Sequence, residues 1–420
     1  MKFEVEKYLK LDSLQSKVYL DSCEVNEILL TANKLIDSNQ FDLANELYSY
    51  LLTITTDKFK IYKNLSISHR RKHNISESLE YANLAISDNS LNAGLFFNLF
   101  ECYAYQEDYH NALRYQEWCF GDQTLYHPTL DASKKTRLDW ADPFVQQSLK
   151  NRFGKEFDLK QNYSKDEMEL IYADIRNLVK GNRIYVMSSQ GMGDVIQCSR
   201  YIEKLLALEP TKVVFSVRPE LYRLISKMFQ YDDRVVVSMD IPTAFKDYDY
   251  FIPIFSLLKL FGVDNSPQPS WYKVDRIDSK YYDTFIDNKK KTKIGIVWRG
   301  NPKHTNDSKR STSLEKVLTS MGDLTDKSIF NLQFDVTDQE RKLLEEYGVV
   351  DLSNRIKDLY DTACFMSNLD LVITVDSSPV HLAGCLGVNT LCLLPKHHED
   401  WRWGYKGERK WYDSVKLLRN

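Results

Sequence analysis

The sequence lacks the features that mark several large classes of protein. Its 420 residues contain no run of about 18 apolar residues, and residues 1–6 do not begin an apolar signal segment. Its seven cysteines form no C-x-x-C pair, and most lie in apolar surroundings, as reduced core thiols do. Because 56 Lys and Arg nearly balance 59 Asp and Glu, no strong field points to nucleic acid or anionic lipid. We expect a cytoplasmic protein without a membrane span.

The composition favours a folded chain of several domains. Aromatic residues are plentiful, with 26 Tyr, 20 Phe and 7 Trp, which argues against disorder. A chain of 420 residues exceeds one ordinary core, so two or three domains are expected.

The N-terminal third repeats itself every 34 residues. The small residues Ala44, Ser78 and Ala112 are 34 positions apart, and a bulky apolar residue stands three positions before each. A small residue at this period, where two helices cross, is typical of tetratricopeptide repeats, which stack into an α-solenoid. We therefore predict tetratricopeptide-like helical repeats over residues 1–120, with a concave face that binds a partner. The alternative is that the repeats only pack against the next domain.

After a predicted connector over residues 121–182, strands and helices alternate. We predict strands at 184–187, 213–217, 235–237, 250–253, 294–298, 329–334, 371–375 and 390–394. The predicted helices between or after them cover 195–208, 220–229, 256–261, 314–321, 337–347 and 359–368. This alternation predicts two doubly wound Rossmann-type α/β domains, residues 183–275 and 276–420, with ligands at the carboxyl ends of their strands.

Two strand ends carry residues suited to chemistry. Asp376, Ser377 and Ser378 follow the strand at 371–375 and begin a helix, whose N-terminus favours phosphate; the alternative is an ordinary capped helix. The glycines of Gly191-Met192-Gly193-Asp194 allow close backbone approach, and the carboxylate could act as a general base or only cap a helix. The pattern is not a dinucleotide-binding fingerprint, since Ile196 stands where that fingerprint needs glycine.

A third strand end is basic. Arg299, Lys309 and Arg310 follow the first strand of the second α/β domain and could neutralise a diphosphate. The alternative is a solvated charged loop.

Four ordered blocks of sequence carry a family resemblance. They are GMGDVIQCSRYI at 191–202, IGIVWRGNPKHTNDSKRS at 294–311, LDLVITVDSSPVHLAGCLGVNTLCLLP at 369–395, and DWRW followed by WYDSVKLLR from 400 to 419. In order and spacing they resemble the heptosyltransferase-type glycosyltransferases of family 9, which have the GT-B fold, in the subgroup fused to tetratricopeptide repeats. The resemblance implies a GT-B-like pair of domains, with the nucleotide-diphosphate sugar bound mainly by the C-terminal one.

The resemblance also implies roles for particular residues. Asp194 matches the family's proposed catalytic base, which implies metal-independent, inverting transfer to an acceptor hydroxyl without a cofactor. The other matches concern the nucleotide sugar: Gly191 and Gly193 in the glycine loop, Arg299, Asn301 and Lys309 in the phosphate loop, and Asp376, Ser377, Ser378 and His381 beside the diphosphate and ribose.

Metal-binding alternatives have weaker support. His397-His398-Glu399-Asp400 contains metal-ligand types, but the family uses this segment as a cleft-lining loop. Asp247-Tyr248-Asp249 has the D-x-D form of another glycosyltransferase fold, and here we expect a turn before a strand. Cys364, Cys385 and Cys392 do not reproduce the cluster with which a related group binds iron. We therefore expect no metal.

Three functional hypotheses follow. The first is a glycosyltransferase whose repeats recruit a protein or surface polymer, that is, protein glycosylation. The second is a non-catalytic tetratricopeptide scaffold with a degenerate sugar-nucleotide-binding module. The third is a transferase acting on a glycolipid or modified nucleic acid, although the near-neutral charge argues against nucleic acid. The sequence leaves the donor's base and sugar, the acceptor and a homo-oligomeric state open.

Overall fold

The computed structural model divides the chain into two compact units, residues 1–122 and 123–420. It describes residues 3–11, 13–21, 23–87, 92–120, 136–137, 147–148, 150–152, 164–188, 191–239, 248–264, 267–286, 292–303, 307–395, 400–404 and 411–419. No helix within these ranges is long and apolar enough to cross a membrane.

The first unit is helical, and its helices recur with the predicted period. The described helices are α1 Val5–Tyr8, α2 Ser13–Asp21, α3 Val25–Asp37, α4 Phe41–Ile54, α5 Phe59–Arg71, α6 Ile75–Ser87, α7 Ala93–Tyr105 and α8 Tyr109–Phe120. From α3 onward they form three packed pairs, and corresponding helices begin 34 residues apart.

The small repeated residues lie where the helices of a pair meet. Ala44, Ser78 and Ala112 are fully buried. In the middle pair, Ser66 Oγ donates to the Ser78 carbonyl and Ser78 Oγ donates to the Ser66 carbonyl, both at 2.7 Å. A larger side chain at these positions would separate the two helices, so the period in the sequence reflects the packing distance.

The second unit is mixed α/β and contains two sheets whose described strand pairings are all parallel. The first sheet has the order β1-β5-β2-β3-β4. Its strands are β1 Thr136–Arg137, β2 Arg183–Met187, β3 Lys212–Ser216, β4 Val235–Ser238 and β5 Tyr250–Pro253. Its helices are α9 Lys165–Asn177, α10 Met192–Cys198, α11 Arg200–Leu206, α12 Pro219–Met228 and α13 Leu257–Phe261. The predicted connector thus supplies β1 and α9 to this unit.

The second sheet has the order β11-β10-β9-β6-β7-β8. Its strands are β6 Thr292–Val297, β7 Lys327–Asn331, β8 Val350–Asp351, β9 Leu371–Val375, β10 Thr390–Leu394 and β11 Val415–Arg419. Its helices are α14 Arg276–Asp283, α15 Asp307–Arg310, α16 Leu314–Ser320, α17 Asp338–Glu346, α18 Leu359–Met366 and α19 Ser378–Leu386. The prediction of parallel α/β sheets is therefore confirmed.

One predicted helix is interrupted. The pattern predicts a single helix over 195–208, whereas the structure has α10 and α11 separated at Ser199. The Ser199 hydroxyl donates to the Ile196 carbonyl at 2.7 Å and accepts the indole N–H of Trp271 at 3.2 Å. A serine that bonds back to the preceding turn competes with the helical ladder, which accounts for the break.

Candidate functional site

Two helices that follow central strands meet at their N-terminal ends. Helix α10 follows β2 of the first sheet, and α19 follows β9 of the second. The contact requires a glycine, because a Cβ atom on Gly193 would lie 2.6 Å from His381 Cδ2 and 3.4 Å from Ser378 Cα. The glycine loop and the D-S-S-x-x-H segment, 182 or more positions apart in sequence, are thereby brought into direct contact.

Asp194 lies at this contact with both carboxylate oxygens engaged. Its Oδ2 accepts the backbone N–H of Gly191 at 3.0 Å, as a helix cap does. Its Oδ1 accepts the Nη2 of Arg402. The side chain of Asp194 is 23% exposed, whereas that of Arg402 is 6% exposed. The residue is therefore both a cap and the partner of a buried cation.

Arg402 is the buried cation of the site. It lies in the short 3-10 turn Trp401–Trp403, and its Nη1 donates to Asp400 Oδ2 at 2.6 Å. Its guanidinium carbon lies 5.4 Å from the ring centre of Phe255 and 5.3 Å from that of Trp401. Weakly hydrated and planar, a guanidinium tolerates such aromatic surroundings and still offers donors at its edge.

His381 is a buried, neutral imidazole. Its Nδ1 lies 2.7 Å from the hydroxyl of Tyr412, and its ring stacks on Trp403 with centroids 5.6 Å apart. Burial, followed by the positive charges of Arg402 and Arg310, lowers the pKa of His381 well below its ordinary value. The imidazole can therefore offer a hydrogen bond but not a positive charge near neutral pH.

The site also holds two partly buried carboxylates with raised pKa values. Burial and then the neighbouring Asp400 carboxylate raise the pKa of Asp376, whereas the Trp403 indole and the guanidinium groups of Arg310 and Arg402 oppose that rise. Burial likewise raises the pKa of Asp400. An anion arriving here would meet two cations and three carboxylates, so its binding depends on how those five charges rearrange.

The serines at the start of α19 leave the helix end uncapped. Ser377 is the N-cap residue, but its side chain forms no cap bond; its Oγ donates to the Val375 carbonyl at 3.4 Å. Ser378 is the first helical residue and Pro379 the second. The capping role considered for Ser377 is thus absent, and the helix end remains suited to an external acceptor.

The basic loop after β6 is arranged differently from the expectation for Arg299. The Arg299 guanidinium pairs with Asp335 at 2.7 Å and with Glu340 at 3.0 Å. Asn301 is exposed and accepts the backbone N–H of Lys303 at 3.0 Å. Lys309 lies half-buried in α15. Arg299 is therefore held by two carboxylates. Arg310 of the same loop pairs with Asp307 at 3.2 Å and also acts electrostatically on Asp376, Asp400 and His381.

The residues that sequence reasoning missed come from the last block. Arg402 and Tyr412 had no assigned role, and the segment with Asp400 and Trp403 was expected only to line a cleft. Each of these four residues contacts or electrostatically influences Asp194, Asp376 or His381. The available signal was an arginine between two tryptophans, since a charged residue flanked by large aromatic residues is expected to be buried and paired.

The described residues contain no group of three or more His, Cys, Asp or Glu placed to hold a metal ion. His397, His398 and Glu399 lie outside the described residues, and so does Asp247. Asp249 directly precedes β5 and pairs with the guanidinium of Arg183 at 2.8 Å.

No family model and no curated protein matches the sequence. Among solved structures, the chain is similar to a family 9 glycosyl transferase from Veillonella parvula, with 12% identity and a TM-score of 0.42 over 58% of this chain and 87% of that one. It is similar to the ADP-heptose lps heptosyltransferase II of E. coli, with 12% identity and a TM-score of 0.40 over 56% of this chain and 90% of that one. An O-GlcNAc transferase mutant from Thermobaculum terrenum is similar over 92% of this chain and 84% of that one, with 11% identity and a TM-score of 0.24. Scores in this range assign no activity.

Proposed function

We propose that the chain is a glycosyltransferase that moves a sugar from a nucleotide-diphosphate donor to an acceptor hydroxyl. The observation that carries the proposal is the convergence of Asp194 with Asp376, Ser378 and His381 across the Gly193 contact. A carboxylate, an uncapped helix end and buried guanidinium groups are the chemistry that a group transfer from a diphosphate needs.

In the proposed reaction, Asp194 accepts the proton of the acceptor hydroxyl. The oxygen attacks the anomeric carbon of the donor sugar from the face opposite the diphosphate, and a new glycosidic bond forms as the bond from that carbon to the diphosphate oxygen breaks. The electron pair of the broken bond leaves with the nucleoside diphosphate, so the configuration at the anomeric carbon inverts.

The leaving diphosphate carries the charge that the site must stabilise. Arg310 and Arg402 are the cations that act on Asp376 and His381, and the N-terminus of the nine-residue helix α19 adds the positive end of its dipole. Fixed cations and helix-end dipoles stabilise developing negative charge without a metal ion. Lys309 of the same loop is proposed to add a further positive charge.

The first unit is proposed to be a tetratricopeptide-like solenoid that recruits the acceptor. Three helix pairs recur every 34 residues around buried small residues. Arrays of such pairs present extended concave surfaces that suit a protein or polymer chain. This role makes protein glycosylation the favoured form of the reaction, with transfer to a glycolipid or nucleic acid as the alternative.

A thermal-shift series with ADP, UDP, GDP, CDP and dTDP, and with sugars linked to them, tests the donor. A nucleotide at a hundredfold excess over its dissociation constant should stabilise the protein by about 2.7 kcal/mol. One responding series would identify the donor's base. A folded protein that responds to none would contradict the proposal and favour the non-catalytic scaffold.

Replacing Asp194 tests the chemistry once the donor is known. Asp194→Asn should reduce transfer by about a hundredfold or more, because the amide cannot accept the acceptor's proton, whereas nucleotide affinity should change only a few-fold. The measurement is product formation at saturating donor, with affinity from calorimetry. Turnover equal to that of the wild type would contradict the assignment of Asp194 as the base.

A further inference from the structure

Arg402 forms an ion pair with Asp194, the carboxylate that the proposed reaction uses as its base. Its Nη2 donates to Asp194 Oδ1, and the Gly191 N–H donates to Oδ2 at 3.0 Å. The Gly191 bond is local to the helix cap, whereas Arg402 lies 208 positions away in the second sheet's half of the unit. Both carboxylate oxygens of Asp194 are therefore engaged in the free protein, one of them by a cation that the proposed reaction could use elsewhere.

The same arginine has a donor without an acceptor. Within the described part of the chain, the buried Nε of Arg402 forms no hydrogen bond, whereas the indole N–H of the adjacent Trp403 already acts on the Asp376 carboxylate. A buried N–H group without a partner costs free energy, so the Nε of Arg402 indicates a place for an external acceptor.

The chemistry of these donors selects the kind of acceptor. A guanidinium with a free edge binds phosphate oxygens through two parallel hydrogen bonds, more strongly than it binds neutral groups. The positive charge of Arg310 acts on the same carboxylate and imidazole that Arg402 influences, and both of these groups lie at the N-terminal end of α19. A diphosphate carries several negatively charged oxygens close together, so it can accept hydrogen bonds from more than one of these groups at the same time.

We propose that Arg402 exchanges Asp194 for the diphosphate of the donor. In the free protein it holds Asp194 as an ion pair; when the nucleotide is bound, its guanidinium pairs with the phosphates and Asp194 becomes available to the acceptor hydroxyl. Arg402 is then a diphosphate-binding residue and the positioning residue for Asp194. This inference rests on the proposed function, and it favours binding of the donor first, because the bound diphosphate releases Asp194 from the ion pair.

The exchange predicts that Asp194 competes with the nucleotide for Arg402. Calorimetry on the full chain with the nucleoside diphosphate that gives the largest thermal shift, and with inorganic pyrophosphate, would measure this competition. Asp194→Asn should bind the nucleotide about fivefold more tightly, because it removes a competing partly buried ion pair. Arg402→Gln should bind it about tenfold more weakly, and Arg402→Lys, which keeps the charge, should recover part of the loss.

The double variant separates competition for Arg402 from simple charge. In the Arg402→Gln background, Asp194→Asn should leave the affinity unchanged within about twofold, because no guanidinium remains to be released. Asp413→Asn, at an exposed carboxylate, is the matched control for loss of one negative charge and should not change the affinity. Melting of the unliganded variants, with Arg402→Lys as the milder substitution, would show whether each protein is folded.

The possible negative results distinguish a failure of the Arg402 exchange from a failure of the proposed function. If the wild type binds a nucleoside diphosphate but Asp194→Asn tightens binding equally with and without Arg402, the exchange is overturned and the proposed function stands. Affinity of Arg402→Gln equal to that of the wild type overturns it as well. If the wild type binds neither a nucleoside diphosphate nor pyrophosphate, the proposed function itself fails.

Discussion

Two of the described helix contacts between the sheets of the second unit are built in opposite ways. At one, α10 meets α19 through Gly193, and no side chain separates the backbone of α10 from His381. At the other, α12 meets α18 through long charged side chains: Arg223 pairs with Asp361 at 2.6 Å, and its guanidinium lies 4.6 Å from the ring centre of Tyr360.

The two contacts therefore respond to different perturbations. The glycine contact depends on shape, because buried atoms are already at van der Waals distance and added volume cannot be absorbed. The charged contact depends on flexible side chains, and Arg223 is 44% exposed, so water and salt can replace part of its interaction. The candidate site lies at the rigid contact, where small displacements of Asp194 would matter most.

Adding a methyl group at the glycine contact should have the largest effect on stability. In Gly193→Ala the new Cβ would lie 2.6 Å from His381 Cδ2. We expect a loss of about 2 kcal/mol in the free energy of unfolding, since overpacking outweighs the better helix propensity of alanine. Scanning calorimetry of the full chain would measure the change in the transition of the second unit.

The control removes the side chain of His381, which the new methyl group would contact. In a His381→Ala background the new Cβ keeps only its contact with Ser378 Cα, at an ordinary van der Waals distance of 3.4 Å, so the cost of the substitution should fall to near zero. An equal cost in both backgrounds would mean that the Gly193 position is not sterically limited by His381.

Removing the cation from the charged contact should have a smaller effect. Arg223→Ala leaves Asp361, whose side chain is only 6% exposed, without its guanidinium partner, although Asp361 still accepts the Lys357 N–H at 3.0 Å. We expect the free energy of unfolding to fall by about 1 kcal/mol, and by less than that in 1 M salt, because the pair is partly solvated. Arg218→Ala, at an exposed arginine beside the same helix, is the matched control. Equal losses in both variants would mean that the Arg223 contact contributes no more to stability than an exposed arginine beside the same helix does.

Much of the fold could be predicted from local patterns. The bounds of β5, β9 and β10 agree with the predicted strands, because buried apolar runs between polar turns are a signal contained within five or six residues. The edge strand β11 was not predicted from the sequence. Its alternate residues Lys416 and Leu418 are exposed, so its five residues do not form an apolar run.

The site could be predicted only in part. Asp194, Asp376 and His381 stand at strand ends, and topology alone places them near the carboxyl edges of the sheets. The pairing of Asp194 with Arg402 joins positions 208 apart, and that of Arg299 with Glu340 joins positions 41 apart. Which cation meets which carboxylate depends on packing around each residue, and a one-dimensional pattern carries no signal for it.

Removing the Asp376 charge beside the glycine contact should have the smallest effect on the free energy of unfolding, and the size of that effect should depend on pH. Burial raises the pKa of Asp376, so between its ordinary and its raised pKa the folded state binds more protons than the unfolded state, and stability falls as pH rises. Asp376→Asn removes this cost and should gain about 1 kcal/mol at pH 8 and nothing near pH 4. His381, with its lowered pKa, loses stability as pH falls below about 6.5, but it is present in both proteins and cancels in the difference. Melting temperatures from pH 4 to 8, with Asp413→Asn as an exposed control, would measure the difference; a gain that is constant with pH would mean that Asp376 is not the group that titrates.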